Sequence, residues 1–277
     1  MSAHRLYKSR TSKPPVSGSR INWANPLTRG LQCAFAMADG VGPPRCSITG
    51  PPVSSGTPSW MASFSGRAPL YTASPTVTTR VPFASQAVGS LTLSCWMRTT
   101  AASGVFAISL CSTSNNTPVI GIQNVGVSPG TLAGWWRNDA GTQYRVDTTD
   151  SSYNDGRWRH VVVTFSTASQ FQIYVNGVDA SFNWPLGTWP VASTTTVDGM
   201  CLGSLVRTSS ASYDVAVDQA CYWNRLLTGG EIYSLYIKPW QIYAPIRSGR
   251  RVGATAASTT YVLWPGYSAE ALDVLTI

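Results

Sequence analysis

The chain offers few residues of the types that catalysis needs. Its 277 residues include only two histidines, His4 and His160, and only two glutamates, Glu231 and Glu270. His160 lies among apolar residues in the stretch RWRHVVVTF, and the sequence contains no GxSxG nucleophile motif. We therefore expect His160 to be a framework side chain and the protein to be non-enzymatic.

Paired carboxyl groups are the remaining candidates for chemistry. Cleavage of a glycosidic bond needs two carboxyl groups roughly 5 to 10 Å apart. Asp214 and Asp218 stand four residues apart in the stretch YDVAVDQ, which would place both on the same face of a β-strand. They would act as an acid–base pair only if they faced an open groove and one of them had a raised pKa.

Tryptophans could bind a sugar ring by stacking. Trp135 and Trp136 are adjacent, so on a strand one ring faces the core and the other faces outward. Trp184 and Trp189 lie in the stretch FNWPLGTWP, whose prolines favour a loop with partly exposed rings. We take Trp136, Trp184 and Trp189 as the candidate glycan-stacking residues. The alternative is that these rings cover an edge of the core.

The cysteine spacing favours free thiols. The six cysteines form no CxxC pair; they are Cys33, Cys46, Cys95, Cys111, Cys201 and Cys221. A free cysteine behaves as a small buried hydrophobe, and the cysteine in LTLSCWMR stands in register with apolar residues. We expect buried thiols rather than a disulfide framework, with Cys33 and Cys46 as the first pair to examine for a disulfide.

Period-two alternation predicts the elements that position these side chains. It recurs in short stretches such as LTLSCWMR, VFAISL and VAVDQACYW. Turn formers separate them, among them NDAG at 138–141 and NG at 176–177, the latter typical of a two-residue hairpin. Residues 158–165 carry apolar side chains on both faces, which indicates a central strand.

One short helix is predicted in the stretch TGGEIYSLYIKP. Thr228 and Glu231 have the spacing of a capping box, and Pro239 provides a stop. Many short strands with a single helix predict an all-β, antiparallel sandwich of the jelly-roll type.

The net charge of +8 is concentrated at the two ends of the chain. We predict a basic extended arm over residues 1–30, a jelly-roll domain over 31–245 and a tail over 246–277. Basic residues of the ends are candidates for docking onto an acidic surface, although a solvated tail is the alternative. These candidates are Arg5, Lys8, Arg10, Lys13, Arg20, Arg29, Arg247, Arg250 and Arg251.

Four segments carry a family resemblance: LTLSCWMRTT, GRWRHVVVTFSTASQFQIYVNGV, MCLGS and VAVDQACYWNRLLTGGEIYSLY. Their order and spacing resemble those of the laminin-G-like, concanavalin-A-like jelly-roll family. That family has a strand of the form F-T-[LI]-S-x-W, a W-x-H-V strand whose hairpin ends in V-N-G, and an I-D-E-[VA]-x-x-[YW]-N-R-x-L segment before a short helix. The stretch SWMASFSGRAPLY is similar to its early F-x-G strand.

The resemblance has implications for the site residues. His160 corresponds to the framework histidine of W-x-H-V, and Asp218 aligns with the aspartate of the I-D-E segment, which we interpret as mainly structural. The E-x-D-x-x-E and E-x-D-x-E motifs of sandwich-type glucanases are absent. Many laminin-G-like domains bind calcium, so Asp147, Asp150 and Asp155 in the polar stretch VDTTDSSYNDG are candidate Ca²⁺ ligands, although their spacing is not that of an EF-hand. We expect no other cofactor.

The edges of the domain suggest a setting. INWANPLTRGLQCAF and IKPWQIYAP are similar to the lead-in and exit of laminin-G-like proteins of tailed bacteriophages and prophages. This implies a structural component of a virion, in the capsid decoration, minor capsid, tail or fibre, made in the bacterial cytoplasm and docked on other virion proteins, with self-association left open. The alternative is a lectin-like module for a bacterial surface glycan.

Two classes of partner are disfavoured. The basic N-terminal arm has one aromatic residue, Tyr7, and no stacking series, which argues against nucleic acid. No apolar run approaches the roughly 20 residues that a membrane-spanning helix needs, and the first residues lack the apolar segment of a signal peptide. We therefore expect no membrane partner.

Overall fold

The structure is a computed structural model that describes residues 19–244 without 38–39, 50–51, 74–76, 103, 125–128, 169–170, 187–193 and 208–209; for 183–186, 210 and 212 it describes the backbone alone. The predictions for Arg5, Lys8, Arg10, Lys13, Trp189 and the residues after 244 lie outside this part. The described strands are, in chain order, β1 (Leu31–Ala34), β2 (Val53–Ser55), β3 (Ser59–Ser63), β4 (Gly66–Tyr71), β5 (Thr78–Ala87), β6 (Ser90–Arg98), β7 (Val105–Cys111), β8 (Val119–Asn124), β9 (Ala133–Arg137), β10 (Gln143–Thr148), β11 (Arg159–Ser166), β12 (Gln172–Val175), β13 (Val178–Asp179), β14 (Ser181–Leu186), β15 (Thr196–Leu202), β16 (Ser204–Val206), β17 (Ser210–Ser212) and β18 (Val215–Trp223).

These strands form two antiparallel sheets of eight strands each within the described residues, so the predicted all-β sandwich is confirmed. Sheet I has the spatial order β13-β12-β11-β6-β18-β4-β3, and β1 pairs with β18. Sheet II has the order β14-β10-β9-β8-β7-β15-β5-β2. A short hairpin of β16 and β17 stands outside both sheets.

Two apolar cores follow from the alternation of side chains along the strands of sheet I. Between the sheets lies the larger core, which includes Leu93, Val163 and Tyr222. Val162 and Trp223, each next in sequence to a member of that core, belong to a second core on the outer face of sheet I. Sheet I is therefore buried on both faces at its centre, as the sequence of residues 158–165 indicated.

The helix α1 (Gly229–Ile237) covers the outer face of sheet I. The predicted capping box is confirmed: Thr228 accepts a hydrogen bond from the Glu231 backbone N–H, and the Glu231 carboxylate accepts one from the Thr228 N–H. Ile232 and Leu235 are the side chains that α1 buries. The described chain contains no helix long and apolar enough to cross a membrane.

Part of the segment that we assigned to an extended arm is folded onto sheet I. Ile21 pairs with Tyr243 in an antiparallel bridge, and Asn25 caps a 3-10 helix at Pro26–Thr28. The indole N–H of Trp223 donates to the Leu27 carbonyl at 2.7 Å. Residues 21–28 thus complete the cover of the outer face, and the folded body begins before residue 31.

Both predicted hairpin turns are present. Asn176 and Gly177 have φ values of +52° and +80° between β12 and β13, the left-handed pair that a type I′ turn requires. At 138–141 the Gly141 N–H donates to the Asn138 carbonyl at 2.9 Å, between β9 and β10. These local turns set the register of the flanking strands.

The capping box yields a first prediction. Replacing Thr228 by alanine removes the acceptor for the Glu231 N–H, and we expect the free energy of unfolding to fall by about 1 kcal/mol. Thr228→Ser keeps the hydroxyl and should stay within a few tenths of the wild-type value. Urea denaturation followed by circular dichroism measures both variants, and an equal loss in the two would show that the cap is not the cause.

Candidate functional site

The outer face of sheet II carries the candidate site, and its centre is Trp135. Trp135 is half-buried, whereas Trp136 is fully buried, so the prediction of Trp136 as a stacking residue is wrong. The Trp136 indole N–H donates to Thr195 Oγ1 at 2.6 Å, and its ring stacks on Phe171 with centroids 5.7 Å apart. The adjacent tryptophans do face opposite sides of the strand, and Trp135 is the outward one.

Strand register explains which tryptophan points inward. Trp136 is paired with Ile120 on β8 and Tyr144 on β10, both members of the core between the sheets. Trp135 is instead paired with Gly121 and Arg145. Paired residues of neighbouring strands project to the same side of a sheet, so the core partners of Trp136 leave only the outer face to Trp135.

Three rows of paired residues form this face across β8, β9 and β10. They are Val119, Arg137 and Gln143; then Gly121, Trp135 and Arg145; then Gln123, Ala133 and Asp147. Gly121 and Ala133 have little or no side chain, so the Trp135 ring has small residues on two sides. We call these nine residues, together with Phe182, the outer-face array.

Charged and polar groups surround the ring. The Arg145 guanidinium carbon lies 5.8 Å from the centroid of the Trp135 ring, and its Nε lies 3.0 Å from Oδ1 of the buried Asp147. Arg137 Nε donates to the Gly141 carbonyl at 3.3 Å. The buried Gln123 Oε1 has no hydrogen-bond partner. The ring therefore has guanidinium donors near it, whereas the Gln123 acceptor is buried.

Packing holds Trp135 in place, and a second aromatic ring extends the apolar surface to the side. Trp135 rests against a small cluster that includes Phe106, Val119 and Leu205. On β14, Phe182 is paired with Asp147 and is 40% exposed. Two aromatic rings thus lie on the same outer face, one anchored and one more open to solvent. Sequence reasoning missed Phe182, whose only signal was its place two residues before Trp184.

Trp184 and Trp189 are the other two predicted stacking residues. Trp184 belongs to β14, but its side chain is outside the part that the structure describes, as is the whole of Trp189.

Asp214 and Asp218 do not form a pair in one groove. Asp214 is exposed and precedes β18, and its Oδ1 accepts a hydrogen bond from the Ala73 N–H at 3.0 Å. Asp218 is fully buried and accepts a hydrogen bond from Ser65 Oγ. The expected alternation fails here because β18 starts at Val215, after Asp214. One carboxyl group faces water and the other faces protein.

Burial raises the pKa of the Asp218 carboxyl to about 7, and hydrogen bonds from Ser65 and Ser63 oppose this rise. The next residue, Gln219, has a φ of +48°, and the pairing of β18 with β6 shifts register between Asp218 and Cys221. A bulge of this kind bends a strand and redirects a side chain. Asp218 therefore joins β18 to the β3–β4 turn, in keeping with the structural role inferred from the resemblance.

His160 is a framework side chain, as expected. It is buried on β11, and its Nε2 lies 3.0 Å from Ser94 Oγ. Its ring lies 5.4 Å from that of Trp96 and 6.1 Å from that of Tyr236, between centroids. Burial lowers the pKa of His160 to about 3, so the ring is neutral at physiological pH.

The three candidate calcium ligands are not brought together. Asp147 is paired with Arg145, Asp150 accepts hydrogen bonds from the Ser152 N–H and Oγ, and Asp155 contacts Arg159 in a two-point ion pair. In the described part of the chain, no three His, Cys, Asp or Glu side chains gather in a way that could hold a metal ion. Each carboxylate instead serves a local turn or an arginine.

Of the candidate docking residues, only Arg20 and Arg29 fall in the described part, and both side chains are exposed. Their backbones are engaged: the Arg20 carbonyl accepts from the Ala244 N–H at 2.8 Å, and the Arg29 carbonyl accepts from Arg225 Nε at 2.7 Å. Their charged groups remain available at the surface.

Comparison with known proteins identifies related folds. Residues 72–233 match the Laminin_G_3 family model, described as concanavalin A-like lectin/glucanases superfamily. No curated protein matches the chain.

Several solved structures have a similar fold. Domain 4 of AbnA, a GH43 extracellular arabinanase from Geobacillus stearothermophilus, was solved with arabinotriose; it superposes with a TM-score of 0.55 at 16% identity, covering 74% of this chain and 98% of that domain. A botulinum neurotoxin type C structure gives 0.56 at 13% identity, over 75% of this chain and 50% of that one. The binding domain of Paraclostridial Mosquitocidal Protein 1 superposes with a TM-score of 0.57 at 12% identity, covering 76% of this chain and 52% of that one. This chain thus spans about half of the toxin chains, and the likeness concerns the fold alone.

The buried Asp218 yields a prediction on stability and pH. Its pKa is raised in the folded protein, so the folded state holds this proton more tightly than the unfolded state, whose aspartate has a pKa of about 4. Asp218 therefore contributes stability that is present at low pH and lost as the pH rises from about 4 to about 7. We expect the free energy of unfolding of Asp218→Asn, minus that of the wild type, to rise by about 2 to 3 kcal/mol between pH 5 and pH 8.

Urea denaturation at the two pH values measures the free energy of unfolding of both proteins. Subtracting the wild-type value from the variant value cancels the contribution of the other titrating groups. Asp214→Asn is the matched control, because it makes the same substitution at an exposed position. Parallel pH profiles for the wild type and Asp218→Asn would contradict the prediction.

Proposed function

The chain belongs to the concanavalin A-like lectin/glucanases superfamily, and on that premise we propose that it is a non-enzymatic carbohydrate-binding protein whose glycan lies on the outer-face array of sheet II. The observation that carries this proposal is the half-buried Trp135 ring, which packs against the cluster of Phe106, Val119 and Leu205 and lies beside the Arg145 guanidinium. A sugar ring has an apolar face and a polar rim, and it is recognised by an aromatic surface with hydrogen-bonding groups around it.

The array supplies each part of such a site. Trp135 provides a surface whose orientation is already set by Phe106 and Leu205, so little side-chain entropy is lost on binding. Arg137 and Arg145 can donate hydrogen bonds to hydroxyl or acidic groups of a sugar.

Phe182 suggests a ligand longer than one sugar. It lies one strand beyond Arg145 and Asp147 on the same face and is 40% exposed. With Trp135, it gives two apolar contact points across neighbouring strands, which suits an oligosaccharide lying across the sheet. Arg145 lies between the two rings, is held by its ion pair with the buried Asp147, and can donate to the intervening hydroxyl groups.

Proteins with the same fold bind saccharides. The AbnA domain was solved with arabinotriose, the binding domain of botulinum neurotoxin DC was solved in complex with SialylT, and the type C neurotoxin is described as interacting with two ganglioside molecules. These relations support a glycan ligand for this chain without indicating which sugar. The separation of Asp214 from Asp218 supports binding rather than cleavage.

The proposal predicts the effect of losing the Trp135 ring. We expect the labelled full chain to bind at least one glycan on an array of bacterial surface glycans, and Trp135→Ala to weaken that binding at least about tenfold, because the stacking surface is lost. Trp135→Phe should retain part of the affinity.

The matched control for this experiment is Trp23→Ala. Trp23 is 61% exposed and belongs to the segment that packs on sheet I, so its removal should leave glycan binding unchanged. Equal losses in Trp23→Ala and Trp135→Ala would place the ligand elsewhere, and the absence of binding to any glycan would overturn the proposed function.

A second candidate function rests on the distribution of charge. The N-terminal stretch 1–30 carries six basic and no acidic residues, while residues 31–237 are balanced. We propose that the basic ends dock this protein on an acidic surface of a phage particle, where the jelly-roll body is displayed as a capsid, tail or fibre component. Glycan binding by the body and attachment by the ends are compatible in one virion protein.

Virion attachment predicts a salt-dependent association. We expect mass spectrometry of density-purified particles of the source phage to detect this chain in stoichiometric amount, and a wash in 1 M salt to remove it, because the Debye length then falls to about 3 Å. A chain whose Arg20 and Arg29 are replaced by glutamine should be released at lower salt than the wild type. Absence of the chain from purified particles would refute the virion role and leave glycan binding to be judged by the array experiment.

A further inference from the structure

Two thiols outside the outer-face array lie unusually close together. Cys33 on β1 and Cys46 on the connection to β2 are 13 residues apart in sequence, and their sulfur atoms are 3.0 Å apart. All six cysteines are free thiols; Cys33 and four others are buried, and Cys46 alone is half-buried. The pair therefore combines an inner thiol with one that solvent can reach.

The backbone around the pair is held in place from both sides. Cys46 forms an antiparallel bridge with Phe35, and the Ser47 N–H donates to the Ala34 carbonyl at 2.7 Å. Phe35 is itself tied to sheet I, because its N–H donates to the Ala220 carbonyl at 2.8 Å. The approach of the two sulfur atoms thus follows from strand-like pairing rather than from a loose loop.

Cys33 and Cys46 have different surroundings, which give the two thiols different roles. Hydrogen bonds from the Cys33 thiol and from Thr49 Oγ1, whose oxygen is 3.2 Å away, lower the pKa of Cys46 below that of an ordinary thiol. Burial raises the pKa of Cys33. A thiolate is the attacking species in disulfide exchange, so Cys46 is the nucleophile and Cys33 keeps its proton until a disulfide forms beside it.

A second close pair shows why accessibility matters. The sulfur atoms of Cys111 and Cys201 are 3.5 Å apart, but both residues are buried. A small disulfide cannot reach either sulfur in the folded protein. Of these two close pairs, only Cys33–Cys46 includes a thiol that solvent can reach.

We propose that Cys46 and Cys33 form a thiol–disulfide exchange site that reacts with low-molecular-weight disulfides of the glutathione type and closes to an intramolecular disulfide. The Cys46 thiolate attacks one sulfur of the small disulfide, which forms a mixed disulfide and releases one small thiolate. Cys33 then loses its proton, and its sulfur attacks the Cys46 sulfur, which releases the second small thiolate. One disulfide is consumed and one is formed, so the two protein thiols are oxidised while the small disulfide is reduced to two thiols.

Closure would tie β1 to the connection that leads to β2 and β3. That connection already contacts β3, because the Trp60 indole N–H donates to the Gly42 carbonyl at 2.9 Å. A cross-link that closes a loop of this length lowers the entropy of the unfolded chain. We expect the melting temperature of the oxidised protein to lie about 5 to 10 °C above that of the reduced protein.

The test uses the full reduced chain incubated with oxidised glutathione and analysed by intact mass. The wild type should lose two hydrogen atoms and retain no glutathione, and its native alkylation by iodoacetamide should fall from one equivalent to none. Cys33→Ser should retain one glutathione, since the second attack is removed. Cys46→Ser should stay unmodified, and the buried Cys111→Ser serves as the matched control that behaves as the wild type.

Peptide mapping provides a readout that does not depend on any variant folding. Arg45 lies between the two cysteines, so trypsin separates residues 30–45 from residues 46–67, and the oxidised wild type should yield these two peptides joined under non-reducing conditions. Recovery of both peptides unlinked after oxidation would overturn the proposal. A wild type that keeps a stable mixed disulfide would overturn it as well, because Cys33 would then not complete the exchange.

Discussion

The burial of sheet I on both faces is the constraint on which the rest of the structure depends. Strands β6 and β18 expose almost no side-chain surface over their length, and β11 is buried from His160 onward. Such strands need an apolar cover on each side. They differ in this from antiparallel sheets that bury one face and leave the other, polar face in water. Sheet II provides one cover, and α1 with the segments around Leu27 and Ile242 provides the other.

This arrangement explains the buried polar groups that first suggested chemistry. His160 lies on the side of β11 that α1 covers, and the covering residues that keep it dry also keep it neutral. Asp218 lies on β18 at a bulge, where it holds the β3–β4 turn through Ser65. Both are polar side chains in positions that an apolar residue could occupy, and each is retained with a hydrogen-bond partner, as buried polar groups must be.

The same constraint bears on the proposed glycan site. On the outer face of sheet II, Trp135 and Arg145 are half-buried and Phe182 is exposed, whereas Val119, Ala133 and Asp147 are buried. The β16–β17 hairpin shields one part of this face through Leu205, which belongs to the cluster that packs against Trp135. Trp135 is consequently neither a core residue nor a free surface residue: apolar contacts hold its ring, which is half-buried beside the Arg145 guanidinium.

The amino-acid sequence by itself determined the local features of this protein. Alternation predicted the antiparallel sandwich, the spacing of Thr228 and Glu231 predicted the helix cap, and Asn176 with Gly177 predicted a hairpin turn, because each depends on residues near in the chain. The adjacent tryptophans were known to face opposite sides, but only the pairing of β9 with β8 and β10 decided that Trp135 faces outward. Likewise, tertiary structure alone separated Asp214 from Asp218, folded residues 21–28 onto sheet I and brought the sulfur of Cys33 to that of Cys46, since strand register, bulges and long-range pairing are decided by contacts between distant parts of the chain.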